Sequence, residues 1–410
     1  MAGVTRSFGN SGPLIFIALL LCILHQSLAL SGLHNKNDAV SIKDEQRILK
    51  NGMAQIISSI PPNYESSASS PGKPPILFLH GSFHGAWCWQ EHYIPYFVER
   101  GYPCVAFSWR GTGGTPAGKD VTKVKIVEDH CEDFQELLDE LPSVLGLDDS
   151  DGHQLRPIVV SHSMGGIIVM KYLDEIFSKR GSLAKPSEIF SGIASMCSVP
   201  PSGNSKTTMR YLLRSPLDAY KITVGFVLKK VITDDEICRD CFFGGKKKIS
   251  EDDGKIDDFG ISDKDLARYQ SYFERDSRAT LDVSDLAKRA PSKTADKDGR
   301  APFLADLPPC LVIGATNDFI VVRSSEMLNC YRSLCCRLSF CTLTHYFSSH
   351  RMKSQTQKLP HIMAWTIRSM SILRTMSWLE KIGRMARVHY SHGSKIYLVP
   401  SQTLTAHPKP

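Results

Sequence analysis

Beyond about residue 74 the chain alternates short unbroken apolar runs with longer stretches of helical periodicity. The run Pro75-Ile76-Leu77-Phe78-Leu79-His80 stops at Gly81. Pro103-Cys104-Val105-Ala106-Phe107-Ser108 ends in the glycine-rich Arg110-Gly111-Thr112-Gly113-Gly114, and Pro157-Ile158-Val159-Val160 leads into Ser161-His162-Ser163-Met164-Gly165-Gly166. Such runs suit strands buried on both faces of a parallel sheet. Between them, Gln90–Arg100, residues 124–141 (through Val127, Phe134, Leu137, Leu138 and Leu141) and Ile167–Phe177 repeat apolar residues at helical spacing. The alternation predicts an α/β fold, a mostly parallel sheet with helices on both faces.

The pattern changes after residue 199. Met209–Ile232 reads as helical, charge follows in Lys246-Lys247-Lys248 and Glu251-Asp252-Asp253, and the buried-strand pattern resumes only at Cys310-Leu311-Val312-Ile313-Gly314. The pattern predicts a helical lid over 200–302, inserted between core segments 74–199 and 303–345. Residues 31–73, rich in Pro and Ser towards their end, read as a linker. At the N-terminus Arg6 precedes the apolar run Leu14–Leu24, and small residues follow at Ser27 and Ala29. A membrane-spanning helix needs about 20 apolar residues, so residues 1–30 read as a secretory signal peptide and an extracellular destination. A chloroplast transit peptide is the alternative, because no acidic residue precedes Asp38.

The chemistry concentrates where strands end. A serine on a sharp strand-to-helix turn projects from the carboxyl edge of a sheet, within reach of a substrate carbonyl. Ser163 has that place, with the small residues Ser161 and Gly165 two positions either side. The helix beyond it offers free N–H groups to a developing oxyanion. The Met164 N–H supplies one such donor. The other is expected from the loop His80-Gly81-Ser82-Phe83-His84-Gly85-Ala86-Trp87, where Gly81 permits close approach and Ser82 carries the N–H. A metal site from His80 and His84 is disfavoured, since glycines at 81 and 85 oppose a helix there.

Together these motifs resemble the α/β-hydrolase superfamily, and within it plant esterase-like proteins related to methylesterases and hydroxynitrile lyases. The resemblance covers about residues 74–322 and includes the His-Gly-x-x-His-Gly-Ala-Trp loop, Arg110-Gly111-Thr112-Gly113, and Val312–Val321. It implies a serine hydrolase acting on a carboxylic ester or related small acyl substrate, with no metal or organic cofactor. Ser163 would be the nucleophile and Asp318 the acid that orients the base, in the chain order Ser…Asp…His. The base is less defined. His345, 27 residues after Asp318 and preceded by the strand-like Arg337–Leu343, fits the spacing best. His361 is the second candidate, and a third reading is an altered C-terminus with no base. A catalytically inactive ligand-binding protein of the same fold is the functional alternative.

Composition narrows the picture further. The chain has 410 residues, 42% hydrophobic and 22% charged, which excludes a disordered, collagen-like or multi-span membrane protein. Its net charge of +7 is uneven: residues 323–410 hold thirteen Lys/Arg and two Asp/Glu, while the first 322 hold 36 and 40. The acidic body gives no reason to expect nucleic acid. Residues 346–410 form an atypical basic tail, in which 361–388 has the pattern of a basic amphipathic helix. Twelve cysteines do not make a disulfide framework in so long a chain. Cys88, Cys104, Cys131, Cys197 and Cys310 read as small buried hydrophobes, and Cys238 and Cys241 as a CxxC without a partner motif.

Overall fold

The structure is a computed structural model, and it describes residues 40–49, 52–62, 64, 72–147, 155–181, 185–201, 203, 213, 215–243, 261–276, 279–294, 296, 301–303, 307–315 and 394–399. In chain order its strands are β1 (Lys43–Leu49), β2 (Gly52–Ser59), β3 (Ile76–Leu79), β4 (Cys104–Phe107), β5 (Lys123–Val124), β6 (Ile158–His162), β7 (Gly192–Met196), β8 (Thr280–Leu281), β9 (Cys310–Ala315) and β10 (Ser394–Val399). Eight of them form one sheet in the order β1-β2-β4-β3-β6-β7-β9-β10, and β5 pairs with β8 apart from it. The five central strands, β4 to β9 in that order, run parallel. The hairpin β1–β2 at one edge and β10 at the other pair antiparallel.

Each central strand sends alternate side chains to opposite faces. Ile76 and Phe78 of β3 join one core with Cys104 and Ala106 of β4, while Leu77 and Leu79 join the other with Val105 and Phe107. Helix Tyr93–Val98 covers the first face through Ile94 and Phe97, and Leu266 and Phe273 of helix Asp263–Asp276 join the same core. The second is covered by the helical segment Ile126–Asp139, through Phe134 and Leu137, and by helix Met164–Arg180, through Ile167 and Ile168. Full burial of one such side chain contributes about 1.5–3 kcal/mol, so the two layers fix the sheet.

Two readings change. Residues 31–73 are not simply a linker: Lys43–Ser59 supply β1 and β2, whose Ile56 and Ile57 are fully buried in the two cores. The apolar alternation of β2 is interrupted by Gly and Ser, and β1 is charged because it is an edge strand. The place beside β9 is taken by β10, from within the tail, with Ser394 opposite Ala315 and Val399 opposite Cys310. The expected last strand Arg337–Leu343, the targeting segment 1–30 and the tail segment 361–388 lie outside the described residues.

Between β7 and β9 the described residues are largely helical, in Pro216–Ile222, Thr223–Val227, Asp235–Phe242, Asp263–Asp276 and Val283–Arg289. The chain passes from β3 to β4 on one side, then crosses back to β6 on the other. A crevice opens at the carboxyl ends of strands where the winding reverses in this way. Leu79 pairs with Ser161 there, so the loops leaving β3 and β6 begin side by side.

Candidate active site

Ser163 follows β6 directly and precedes helix Met164–Arg180. Its backbone lies at φ 51, ψ −116, a region that a residue with a Cβ enters at a cost of about 1–3 kcal/mol. Neighbouring backbone holds it there. The Ser163 N–H donates to the Met196 carbonyl at 3.1 Å, and its carbonyl accepts from Val199 N–H at 3.0 Å and Gly166 N–H at 3.1 Å. Glycines make room for the turn. A Cβ on Gly165 would stand 2.9 Å from the carbonyl oxygens of Leu79 and His80, and one on Gly81 would stand 2.7 Å from Ser163 Cβ. Ser161 replaces a more usual glycine at no backbone cost, because it lies within β6, fully buried, and its hydroxyl donates to the Ala194 carbonyl at 3.4 Å. His162 packs against the loop after β3, its ring 5.9 Å from that of His84.

That loop carries the expected second donor. A four-residue turn closes through His84 N–H and the Gly81 carbonyl at 3.3 Å, and the His84 ring Nδ1 donates to the Ser82 carbonyl at 2.9 Å. The Ser82 hydroxyl lies 3.7 Å from the Met164 sulfur, so the residues of the two expected oxyanion donors touch. Phe83, third in the turn, has φ 66, which favours glycine or asparagine. Its ring is buried against Phe226, Phe242 and Phe273, with centroids 5.1, 6.1 and 6.5 Å away. Aromatic pairs contribute about 0.5–1.5 kcal/mol each, enough together to offset the strain.

His80 anchors the loop to the scaffold. Its Nε2 accepts from Trp109 N–H at 3.0 Å, which leaves the proton on Nδ1, and Nδ1 donates to the Gly81 carbonyl at 2.7 Å. A carbonyl and the next N–H share one plane, so this bond fixes the Gly81–Ser82 peptide that bears the Ser82 N–H. Burial holds the ring neutral, lowering its pKa to about 3. With both nitrogens engaged, His80 is structural and not a metal ligand. The segment that receives it is pinned in turn: Arg110 pairs with Asp133, and His130 lies edge-on to Trp109 with ring centroids 5.5 Å apart.

Ser163, Ser82 and Met164 are therefore brought together at one crevice. Asp318, His345 and His361 lie outside the described residues. Among the described residues no cluster of three or more His, Cys, Asp or Glu is placed to hold a metal ion. Cys238 and Cys241 are free and buried on helix Asp235–Phe242, and burial pushes both thiols up to about 12, so both stay protonated. Cys88, Cys104, Cys131 and Cys197 are buried as expected, whereas Cys310 is half-buried. Among the described residues no helix is long and apolar enough to cross a membrane. Two contributors escaped sequence reading. Phe83 gives no signal, because its conformation depends on rings far along the chain. The anchoring role of His80 was partly visible in a histidine closing a buried strand.

The profile of the alpha/beta hydrolase family matches residues 76–335. Methylesterase 4 of Arabidopsis thaliana is 32% identical over 95 residues, covering 23% of this chain and 32% of that protein. Norfluorocurarine synthase 2 of Strychnos sp. is 29% identical over 108 residues, 26% of this chain and 35% of that protein. The chain thus matches about a third of the length of these curated relatives. Among solved structures, the 2-hydroxy-6-oxo-6-phenylhexa-2,4-dienoate hydrolase of Rhodococcus sp. strain RHA1 aligns with a TM-score of 0.42 at 16% identity, over 72% of this chain and 89% of that one. With a profile match across most of the sheet and the mostly parallel strand order, the chain belongs to the alpha/beta hydrolase family.

Proposed function

We propose that the protein is a serine hydrolase that cleaves a carboxylic ester or related small acyl compound. One observation carries the reading: Ser163 stands in a left-handed backbone conformation between β6 and helix Met164–Arg180, with Gly81 backed against it. Strain of this kind in a non-glycine residue clusters at functional sites, and on a sharp strand-to-helix turn it thrusts a serine out at the sheet edge. In the reaction Ser163 Oγ attacks the carbonyl carbon and passes its proton to a histidine. The tetrahedral oxygen rests on the N–H groups of Ser82 and Met164. Collapse expels the alcohol, which takes the proton back, and water then hydrolyses the acyl-enzyme by the same route. Asp318 is the expected orienting acid and His345 the expected base, on the resemblance and spacing described above.

The test is hydrolysis of p-nitrophenyl acetate by the full chain. Ser163→Ala is expected to lower kcat by at least about 10⁴-fold without lowering the melting temperature. Equal rates in variant and wild type would leave the ligand-binding alternative in place. His345→Ala, tested beside His361→Ala, identifies the base, and His392→Ala belongs in the set because it precedes β10 by two residues in sequence.

A further inference from the structure

Three separate elements of the 200–302 insertion converge on one side chain of the loop after β3. Phe226 comes from Thr223–Val227, Phe242 from Asp235–Phe242 and Phe273 from Asp263–Asp276, and all three rings meet Phe83. Two of them also meet the next turn residue, His84, at 5.5 and 5.4 Å. Phe83 is buried and has φ 66, while a bulky residue left to itself moves out of that region. Scaffold contacts reach the start of the turn through His80 and Gly81 and its end through His84, which meets Trp87 and His162, whereas Phe83 between them packs against the insertion.

We infer that the insertion positions the oxyanion hole: its three phenylalanines hold Phe83 in the left-handed region, and Phe83 thereby keeps the Gly81–His84 turn in the shape that presents the Ser82 N–H. Phe83 is then a positioning residue, and the insertion takes part in transition-state stabilisation as well as covering the site. The inference rests on the hydrolase reading of Ser163 and Ser82. Its consequence is specific. Loosening the rings weakens the transition state more than the bound ester, so kcat falls while KM holds.

The experiment measures kcat and KM for p-nitrophenyl acetate and the rate of Ser163 phosphonylation by a fluorophosphonate, with melting temperatures recorded for every variant. Removing one oxyanion donor outright costs about 10²–10³-fold in kcat, so Phe83→Ala, which misplaces one, is expected to lose about 10–100-fold. KM should stay within about threefold. Phe83→Gly is expected to recover most of the rate, because glycine takes positive φ without help. Phe226→Ala combined with Phe242→Ala should lower kcat by about tenfold alone, yet add nothing in the Phe83→Gly background. Unchanged kcat in folded Phe83→Ala, or an undiminished loss from the ring variants in the Phe83→Gly background, overturns the inference. Should Phe83→Ala fail to fold, the Phe83→Gly and ring variants decide it. A wild type that neither turns over ester nor labels overturns the hydrolase reading and the inference with it. A wild type that labels, with variants that match it, overturns the inference only.

Discussion

The turns after β3 and β6 both place a non-glycine residue in the left-handed region, Phe83 at φ 66 and Ser163 at φ 51, yet they are held in different ways. The Ser163 turn is fixed by backbone. Its N–H and carbonyl bond to Met196 and Val199 at the end of β7 and just beyond it, and Gly165 lies flush against β3. The Phe83 turn is held by side chains, with His80 at its start and the rings of a distant insertion over its middle. On the proposed hydrolase reading, a nucleophile set in the sheet edge is ready whatever the cover above it does, and an oxyanion donor held partly by that cover is ready only when the cover is in place. That reading would assign attack to a turn fixed by backbone bonds and charge stabilisation to a place where the scaffold meets the insertion.

The largest effect that separates the two turns is expected from Gly165→Ala. The added Cβ meets two backbone oxygens at 2.9 Å, atoms that cannot swing aside. Overpacking of this kind costs about 1–3 kcal/mol, and displacement of the Ser163 turn should reduce kcat by about 100-fold or more. Thermal melts and p-nitrophenyl acetate turnover check both. Preserved turnover would show that the elbow is softer than its backbone bonding implies. His80→Ala comes next. It strips the partner from the buried Trp109 N–H, at about 1–3 kcal/mol for the group left unsatisfied, and leaves the Gly81 carbonyl with His84 N–H alone. It should also lower kcat by about tenfold without affecting the Ser163 turn. A stability loss with unchanged kcat would mean that the rings alone suffice to hold the loop.

A smaller effect follows from acid. Burial lowers the pKa of His80 and of His130 to about 3. Both rings are neutral when folded and take up protons near pH 6.5 once the chain unfolds. The stability they contribute is complete above about pH 6.5 and is lost progressively as pH falls towards 3. Both flank Trp109, so acid weakens the anchor of the β3 loop. The two His130 ring nitrogens have no hydrogen-bond partner among the described residues, so His130→Phe can replace the ring without stranding a donor. The variant is expected to melt less steeply with pH between 6.5 and 4 than the wild type. An identical slope would place the acid sensitivity elsewhere.

Much of this arrangement was legible in the chain because strands buried on both faces must be apolar at every position. That identified β3, β4, β6 and β9, and with them the two loops of the site. β7 escaped because Gly192, Ala194 and Ser195 are small, although a sheet interior accepts them. β1 and β2 escaped because an edge hairpin is half polar, although Asn51-Gly52, where the chain turns into β2, is a recognised hairpin signal. At the site, Ser163, Gly165 and Gly81 could be read locally, since the demands of a tight turn fall on adjacent residues. The left-handed Phe83 could not, because the rings that stabilise it are about 140 residues or more away in the chain.

The measurement that bears most directly on the central claim is fluorophosphonate labelling of the folded full-length chain, followed by mapping of the modified peptide. The expected result is one adduct on the peptide containing Ser163, absent from Ser163→Ala. A chain that melts cooperatively and leaves Ser163 unmodified, or an adduct that survives Ser163→Ala, would contradict it.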